Sequence, residues 1–186
     1  FAHYQQFDER FCLPYKKSWF KFDTLSLLER QIKVGYLSPD FRKHPVSKWV
    51  LPILEKHDRE RFSIHAYAEV ALKDEDEVTG LIKQHLDSWT STYGMSDEDL
   101  ANKIREDGID ILVDLAGHTE GNRLPMIGKY KPAPVVASYS VGFAYTTGLS
   151  AVDYFLAPKD LFAPDGGHLF SEQPLGLVTG VVYQPI

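Results

Sequence analysis

Two histidines in this chain stand where a titrating side chain is useful. His44 closes the run Pro39-Asp-Phe-Arg-Lys-His-Pro45, and His118 is the middle residue of Gly117-His-Thr119. Each follows an apolar run rich in branched residues, Ile32 to Ser38 and Ile111 to Val113, of the kind that suits a buried strand. Because imidazole titrates near neutral pH, either histidine can serve as a general base or donate to a phosphate. Thr119, Asn122, Thr146 and Thr147 lie in the same kind of loop. Their hydroxyl and amide groups, beside the backbone amides of nearby glycines, suit a hydroxyl-rich ligand. Each residue also has a plainer reading. His44 can cap the helix that starts at Pro45, His118 can bond a neighbouring carbonyl, and Thr146-Thr147 can be turn residues.

The elements that carry these loops alternate. Strands are expected at Ile32–Ser38, Arg61–Tyr67, Ser88–Thr90, Ile111–Val113, Val135–Ala137 and Val152–Leu156. The Pro- and Gly-rich C-terminal segment reads as loop with one more strand at Leu177–Tyr183. Between the strands lie amphipathic helices. The one from Pro45 buries Val46, Trp49, Val50, Ile53, Leu54 and His57 at helical spacing, with His57 at the end favoured by the helix dipole. A second runs Asp74–Leu86. A third is capped by Ser96, with Asp99 placed for a capping box, and stops at Gly108. A fourth covers residues 122–130. Strands alternating with helices predict an α/β, Rossmann-like parallel sheet with helices on both faces. Such a sheet gathers the loops Asp40–Pro45, Gly117–Asn122 and Gly142–Gly148 at the carboxyl edge of its strands. Residues 1–30 differ: Tyr4, Phe7 and Phe11 have helical spacing up to Pro14, and Trp19, Phe20 and Phe22 follow without a period. They read as a helical or irregular linker ahead of a domain at 31–186.

Composition narrows the function. A net charge of −6 with no basic cluster larger than Arg42-Lys43 argues against nucleic-acid binding. No apolar stretch approaches the ~20 residues that span a bilayer, and there is no signal-peptide pattern. Cys12 is the lone cysteine, which fits a reducing compartment; a cytoplasmic protein is expected. There is no GxGxxG or Walker loop for a nicotinamide or ATP site, and no C-x-x-C or His-Glu-x-x-His spacing for zinc, so no metal is expected. Asp74 to Glu77 reads as a solvated loop and helix start. Asp114, near the carboxyl end of its strand, reads as a satisfied polar group of the core.

Several ordered motifs together resemble one family: Ile32-Lys-Val-Gly-Tyr-Leu-Ser-Pro-Asp-Phe-Arg-Lys-His-Pro45, Leu54-Glu-Lys-His-Asp-Arg-Glu-Arg-Phe62, Asp107-Gly-Ile-Asp-Ile-Leu-Val-Asp-Leu-Ala-Gly-His-Thr-Glu-Gly-Asn-Arg-Leu124, Lys131-Pro-Ala-Pro-Val135 and Thr146-Thr-Gly-Leu-Ser-Ala-Val-Asp-Tyr154. They resemble the O-linked N-acetylglucosamine transferases and the plant SPINDLY-type enzymes. The resemblance implies the N-terminal half of a two-domain GT-B catalytic region, with residues 1–30 linking it to preceding tetratricopeptide repeats. It implies inverting transfer of a sugar from a nucleotide donor, UDP-linked, to Ser or Thr of an acceptor protein, with no cofactor or required metal and with a C-terminal lobe as partner. By the same resemblance His44 and His118 become active-site histidines, and Thr146 and Thr147 line the sugar pocket. One departure stands out: Ser140-Val-Gly-Phe-Ala-Tyr145 replaces the family's usual Trp-Leu-Gly-Tyr-Pro-Gly, putting a bulky Tyr145 where a tight backbone turn is usual. That change keeps a second expectation open, a non-catalytic module on the same fold that binds or regulates a protein partner.

Overall fold

In the computed structural model, which describes residues 2–22, 30–141, 144–162 and 166–177, the apolar runs pair into one sheet. Its strands are β1 (Ile32–Ser38), β2 (Phe62–Ala68), β3 (Ser88–Ser91), β4 (Ile111–Asp114), β5 (Val135–Tyr139), β6 (Tyr154–Pro158) and β7 (Gln173–Leu177). Every adjacent pair is parallel, in the order β3-β2-β1-β4-β5-β6-β7. The chain therefore winds outward from β1 to β3, returns to the middle, and winds the other way from β4 to β7. Keeping one crossover hand while reversing direction puts the helices of the two halves on opposite faces.

The cores follow that rule. On one face, Val46, Val50, Leu51 and Leu54 of α2 (Pro45–Lys56) and Val78 and Ile82 of α3 (Glu77–Lys83) pack on Val34, Ile64 and Val113. On the other, Leu100 and Ile104 of α4 (Asp97–Glu106) and Leu124 and Ile127 of α5 (Leu124–Tyr130) pack on Leu37, Leu112 and Val136.

Local chemistry sets the helix starts. Pro45 opens α2, where its missing N–H is harmless. Asp76 caps α3: its carboxylate accepts from Val78 N and Thr79 N, and the Thr79 hydroxyl accepts from Asp76 N at 3.1 Å. This is where a reciprocal capping box forms. At α4, Ser96 accepts from Asp99 N as expected, but the Asp99 carboxylate takes the Ser96 hydroxyl at 2.6 Å.

The stretch Gln173–Leu177, read as loop, forms β7; the expected strand Leu177–Tyr183 lies, apart from Leu177, outside the described residues. Pro174 and Gly176 hide β7 from any periodicity, and both are tolerated because β7 is an edge. His57 does end α2, but burial and Arg59 lower its pKa, so desolvation outweighs the dipole. Its Nε2 lies 2.8 Å from the Tyr36 hydroxyl.

The N-terminal residues lie against this sheet. In α1 (Ala2–Phe11), the Asp8 carboxylate accepts from Ser150 N at 2.7 Å, and Trp19 further on donates to the Gly128 carbonyl at 3.0 Å. A Cβ at position 128 would meet the Phe11 carbonyl oxygen at 2.5 Å, so only glycine lets the segment sit so close. Among the described residues no helix is long and apolar enough to cross a membrane.

Candidate functional site

The winding reverses between β1 and β4, and open α/β sheets bind ligands outside the strand ends at such a switch point. The loop after β4 is built for that place. Asp114, at 0% exposure, accepts from Gly117 N at 2.8 Å, Ala116 N at 3.2 Å and the Ser138 hydroxyl at 3.1 Å, which folds the chain back over the strand end. Burial pushes its carboxyl up to about 6, against those three donors. Thr119 donates its hydroxyl to the Ala116 carbonyl at 2.8 Å. The Asn122 amide donates to the Thr119 carbonyl at 2.7 Å, and its oxygen accepts from Leu124 N at 3.1 Å to start α5. Gly121, at φ +77°, places its α-carbon so close to Pro39 that a Cβ would lie 2.9 Å from the Pro39 Cβ. The loops after β1 and β4 thus touch through a residue that has to be glycine.

Beside this contact opens a cavity of about 460 Å³. Asp40, Arg42 and His44 reach it from the loop after β1, Glu69 and Asp74 from beyond β2, Tyr93 from beyond β3, and Thr119 from beyond β4. His44 Nδ1 lies 3.3 Å from Val46 N and 3.5 Å from the Asp40 carboxylate. One nitrogen cannot serve both at once. With its lone pair on Nδ1 it accepts from Val46 and caps α2; with Nδ1 protonated it donates to Asp40. Asp40 is itself buried enough that desolvation raises its pKa, with His44 and Arg42 acting the other way.

Glu69 is held by a residue the sequence did not single out. Arg123 donates to the Glu69 carboxylate from Nε at 3.0 Å and Nη2 at 2.7 Å, and to the Asp97 carboxylate at 2.7 Å. It also reaches the Met95 carbonyl at 3.0 Å, while Thr92 donates its hydroxyl to Glu69 at 2.8 Å. Burial disfavours the guanidinium charge, but Glu69 and Asp97 outweigh it and raise its pKa. The clamp joins the ends of β2 and β3 to the starts of α4 and α5.

His118 sits elsewhere. Its Nε2 is 2.7 Å from the Thr147 carbonyl oxygen, which can only accept, so Nε2 carries the proton. Its ring packs on Tyr4 and Phe7 of α1, with centroids 5.4 and 5.0 Å away. Thr146 and Thr147, 3% and 0% exposed, direct their hydroxyls at the buried carboxylate of Glu172. Glu172 also went unread: it is one acid in an aperiodic stretch, with no spacing signal to mark it. Thr146 borders a second cavity of about 320 Å³ with Tyr4, Tyr145, Leu161 and Leu169, and Tyr145 is 65% exposed there. Gly142 and Phe143 of the expected third loop lie outside the described residues. The structure brings His44 and Thr119 to one cavity and joins His118 to Thr147. It sets Thr146 on the second cavity and ties the Asn122 amide to its own loop and the start of α5. Among the described residues, no group of three or more His, Cys, Asp or Glu could hold a metal ion.

Residues 8–173 match the family model for glycosyl transferase family 41. The chain is 36% identical, over 154 residues, to the probable UDP-N-acetylglucosamine–peptide N-acetylglucosaminyltransferase SPINDLY of Arabidopsis thaliana, covering 82% of this chain and 16% of that protein. It is 31% identical, over 144 residues, to the probable enzyme of the same description named SEC from that plant, covering 77% and 14%. A solved Thermobaculum terrenum O-GlcNAc transferase mutant superposes with a TM-score of 0.85 at 28% identity, over 96% of this chain and 33% of that one. The chain spans about a sixth of the length of the curated relatives it matches.

Proposed function

The chain belongs to glycosyl transferase family 41, and from that premise we propose that it is the acceptor-side lobe of an inverting protein glycosyltransferase. It moves a GlcNAc-like sugar from a UDP-linked donor to Ser or Thr of a protein, together with a C-terminal lobe that holds most of the nucleotide. The observation that carries the reading is the pairing of His44 and Thr119 on one open cavity at the switch point of the sheet.

In the transfer, the acceptor hydroxyl oxygen bonds to the anomeric carbon as the bond from that carbon to the nucleotide diphosphate breaks. The hydroxyl proton goes to a base. We assign this to His44 in the tautomer whose Nδ1–H faces the Asp40 carboxylate, which leaves the lone pair on Nε2 to receive the proton. Thr119 borders the acceptor. We assign His118, with Nε2–H given to the Thr147 carbonyl, to the turn that borders the second cavity. We assign the donor sugar to the cavity beside Thr146, with Thr147 underneath and Tyr145 at its rim. Asn122 acts through its loop, holding Thr119 in place.

The test is transfer from UDP-GlcNAc and GDP-fucose to protein acceptors by the full-length protein. A lost general base lowers kcat by about a hundredfold or more, so His44→Ala should do so. Full turnover in that variant would remove His44 from the mechanism. The exposed Tyr145 at an apolar cavity favours a second reading, a protein-binding module on the same fold. No transfer from any nucleotide sugar would leave that reading standing alone.

A further inference from the structure

His118 is held by two turns, and each is closed by a buried carboxylate. Asp114 closes the turn through Ala116 and Gly117, from the strand beneath. Glu172, 4% exposed and just ahead of β7, closes the turn through Thr146 and Thr147.

We propose that Glu172 is a positioning residue for His118: it fixes the Thr146–Thr147 turn so that the Thr147 carbonyl holds His118 as the Nε2–H tautomer. This rests on the reading of His118 as an active-site group. The contacts run in one direction. Backbone amides of Gly148 and Ser171 donate to Thr146 Oγ1, each at 3.1 Å, and the amide of Leu149 donates to Thr147 Oγ1 at 3.2 Å. With lone pairs taken by amides, each hydroxyl has one proton left to give, and both give it to Glu172. Oε2 accepts from Thr146 at 2.7 Å; Oε1 accepts from Thr147 N at 2.7 Å and from the Thr147 hydroxyl.

Three donors converge on two oxygens, and only a carboxylate satisfies them all. A glutamine has one acceptor oxygen and would turn an NH2 group toward a donor. The far side of the turn is just as constrained. Gly148 has φ +77°, and a Cβ there would lie 2.7 Å from the Tyr4 Cβ and 2.9 Å from the Tyr4 carbonyl oxygen. Clamped between Glu172 and α1, the turn presents its carbonyl 2.7 Å from Nε2. A carbonyl there accepts from a protonated Nε2 and so favours that tautomer over the one protonated only at Nδ1.

The tautomer is read directly by nitrogen NMR on full-length protein carrying ¹⁵N-histidine, with the His118 signals assigned by their loss in His118→Gln. At a pH where the wild-type ring is neutral, Nε2 should be the protonated nitrogen. In Glu172→Gln the signals should move toward a tautomer mixture. Losing a charge-assisted hydrogen bond should then lower kcat about tenfold or more with the donor KM within about twofold. Thr147→Ser, which keeps the hydroxyl, should keep the wild-type tautomer. If Glu172→Gln does not fold, Thr147→Val, which deletes only the bridging hydroxyl, is read the same way. An unchanged His118 tautomer in either folded variant overturns the proposal. A tautomer shift in a protein whose wild type transfers no sugar would uphold the positioning role and overturn the proposed function, so the two are separable.

Discussion

Replacing Asp114 by Asn should flatten the stability of this protein between pH 4 and pH 7. Asp114 is fully buried at the end of β4, and burial raises its carboxyl from the ordinary 3.8 to about 6. The folded chain therefore holds this proton more tightly than the unfolded chain does. Its contribution is present in full below pH 3.8, falls as pH rises through the gap, and is gone above about 6. A rise of that size corresponds to on the order of 3 kcal/mol. Asp76, Asp107 and Asp110 act in a different window, because their donors and cations hold them below the ordinary value despite burial; their contribution is lost as pH falls below it. Subtracting the variant from wild type removes those shared acids. Urea unfolding of both proteins at unit steps should show the difference in unfolding free energy shrinking by on the order of 3 kcal/mol from pH 4 to pH 7. A constant offset belongs to the Asn side chain, which has one acceptor oxygen for the donors of Ala116, Gly117 and Ser138. Parallel curves would refute the reasoning. Glu172 adds to the rise through its charge, so Glu172→Gln should narrow the same window from its upper end.

Other perturbations bear on the same strand ends. Arg123→Ala leaves Glu69 half-buried without its cation and removes the tie to Asp97; about 3 kcal/mol should be lost in urea unfolding, and a change under ~0.5 kcal/mol would count against the clamp. Gly121→Ala forces a side chain into a left-handed position against Pro39, so thermal unfolding should fall by several degrees and transfer should weaken with it. His44→Ala and His44→Asn separate capping from chemistry. Asn restores an N-cap acceptor and should recover the ~1 kcal/mol that Ala loses, whereas both should abolish transfer; an active Asn variant would reduce His44 to a cap.

How much was legible follows from where the information lies. β1 announces itself through Ile32, Val34 and Tyr36, and the helix after it through a stripe that any buried face needs. Gly117, Gly121 and Gly148 mark real left-handed backbone, so the loops were visible as loops. β7 was not visible, because an edge strand of Gln, Pro, Leu, Gly and Leu is defined by pairing with β6 and not by a pattern of its own. The partners of the candidate residues were equally hidden. Glu172 meets Thr147 across 25 residues and Arg123 meets Glu69 across 54, distances at which no local rule operates. The sequence named the hydroxyls of Thr146 and Thr147 as ligand groups, and nothing in their spacing announces a buried carboxylate already in place to receive them.

That hidden partnership divides the work of the two histidines. His44 stands on an open cavity, held at Nδ1 by Asp40 of its loop and Val46 of α2. His118 is enclosed by four separate parts of the chain: its own turn over Asp114, the carbonyl of Thr147, the rings of Tyr4 and Phe7, and Glu172 behind the second turn. A base that must gain and lose a proton each turnover benefits from access, while a group that fixes geometry benefits from enclosure. The first histidine should therefore respond to substitution mainly in kcat at unchanged fold. The second should couple activity to the packing of α1, a segment outside the sheet. Tyr4→Ala, which removes one ring from His118 and keeps the close approach of its Cβ and backbone to Gly148, puts that coupling to the test. It should lower transfer and stability together, and loss of stability alone would assign His118 to the fold and leave the chemistry to His44.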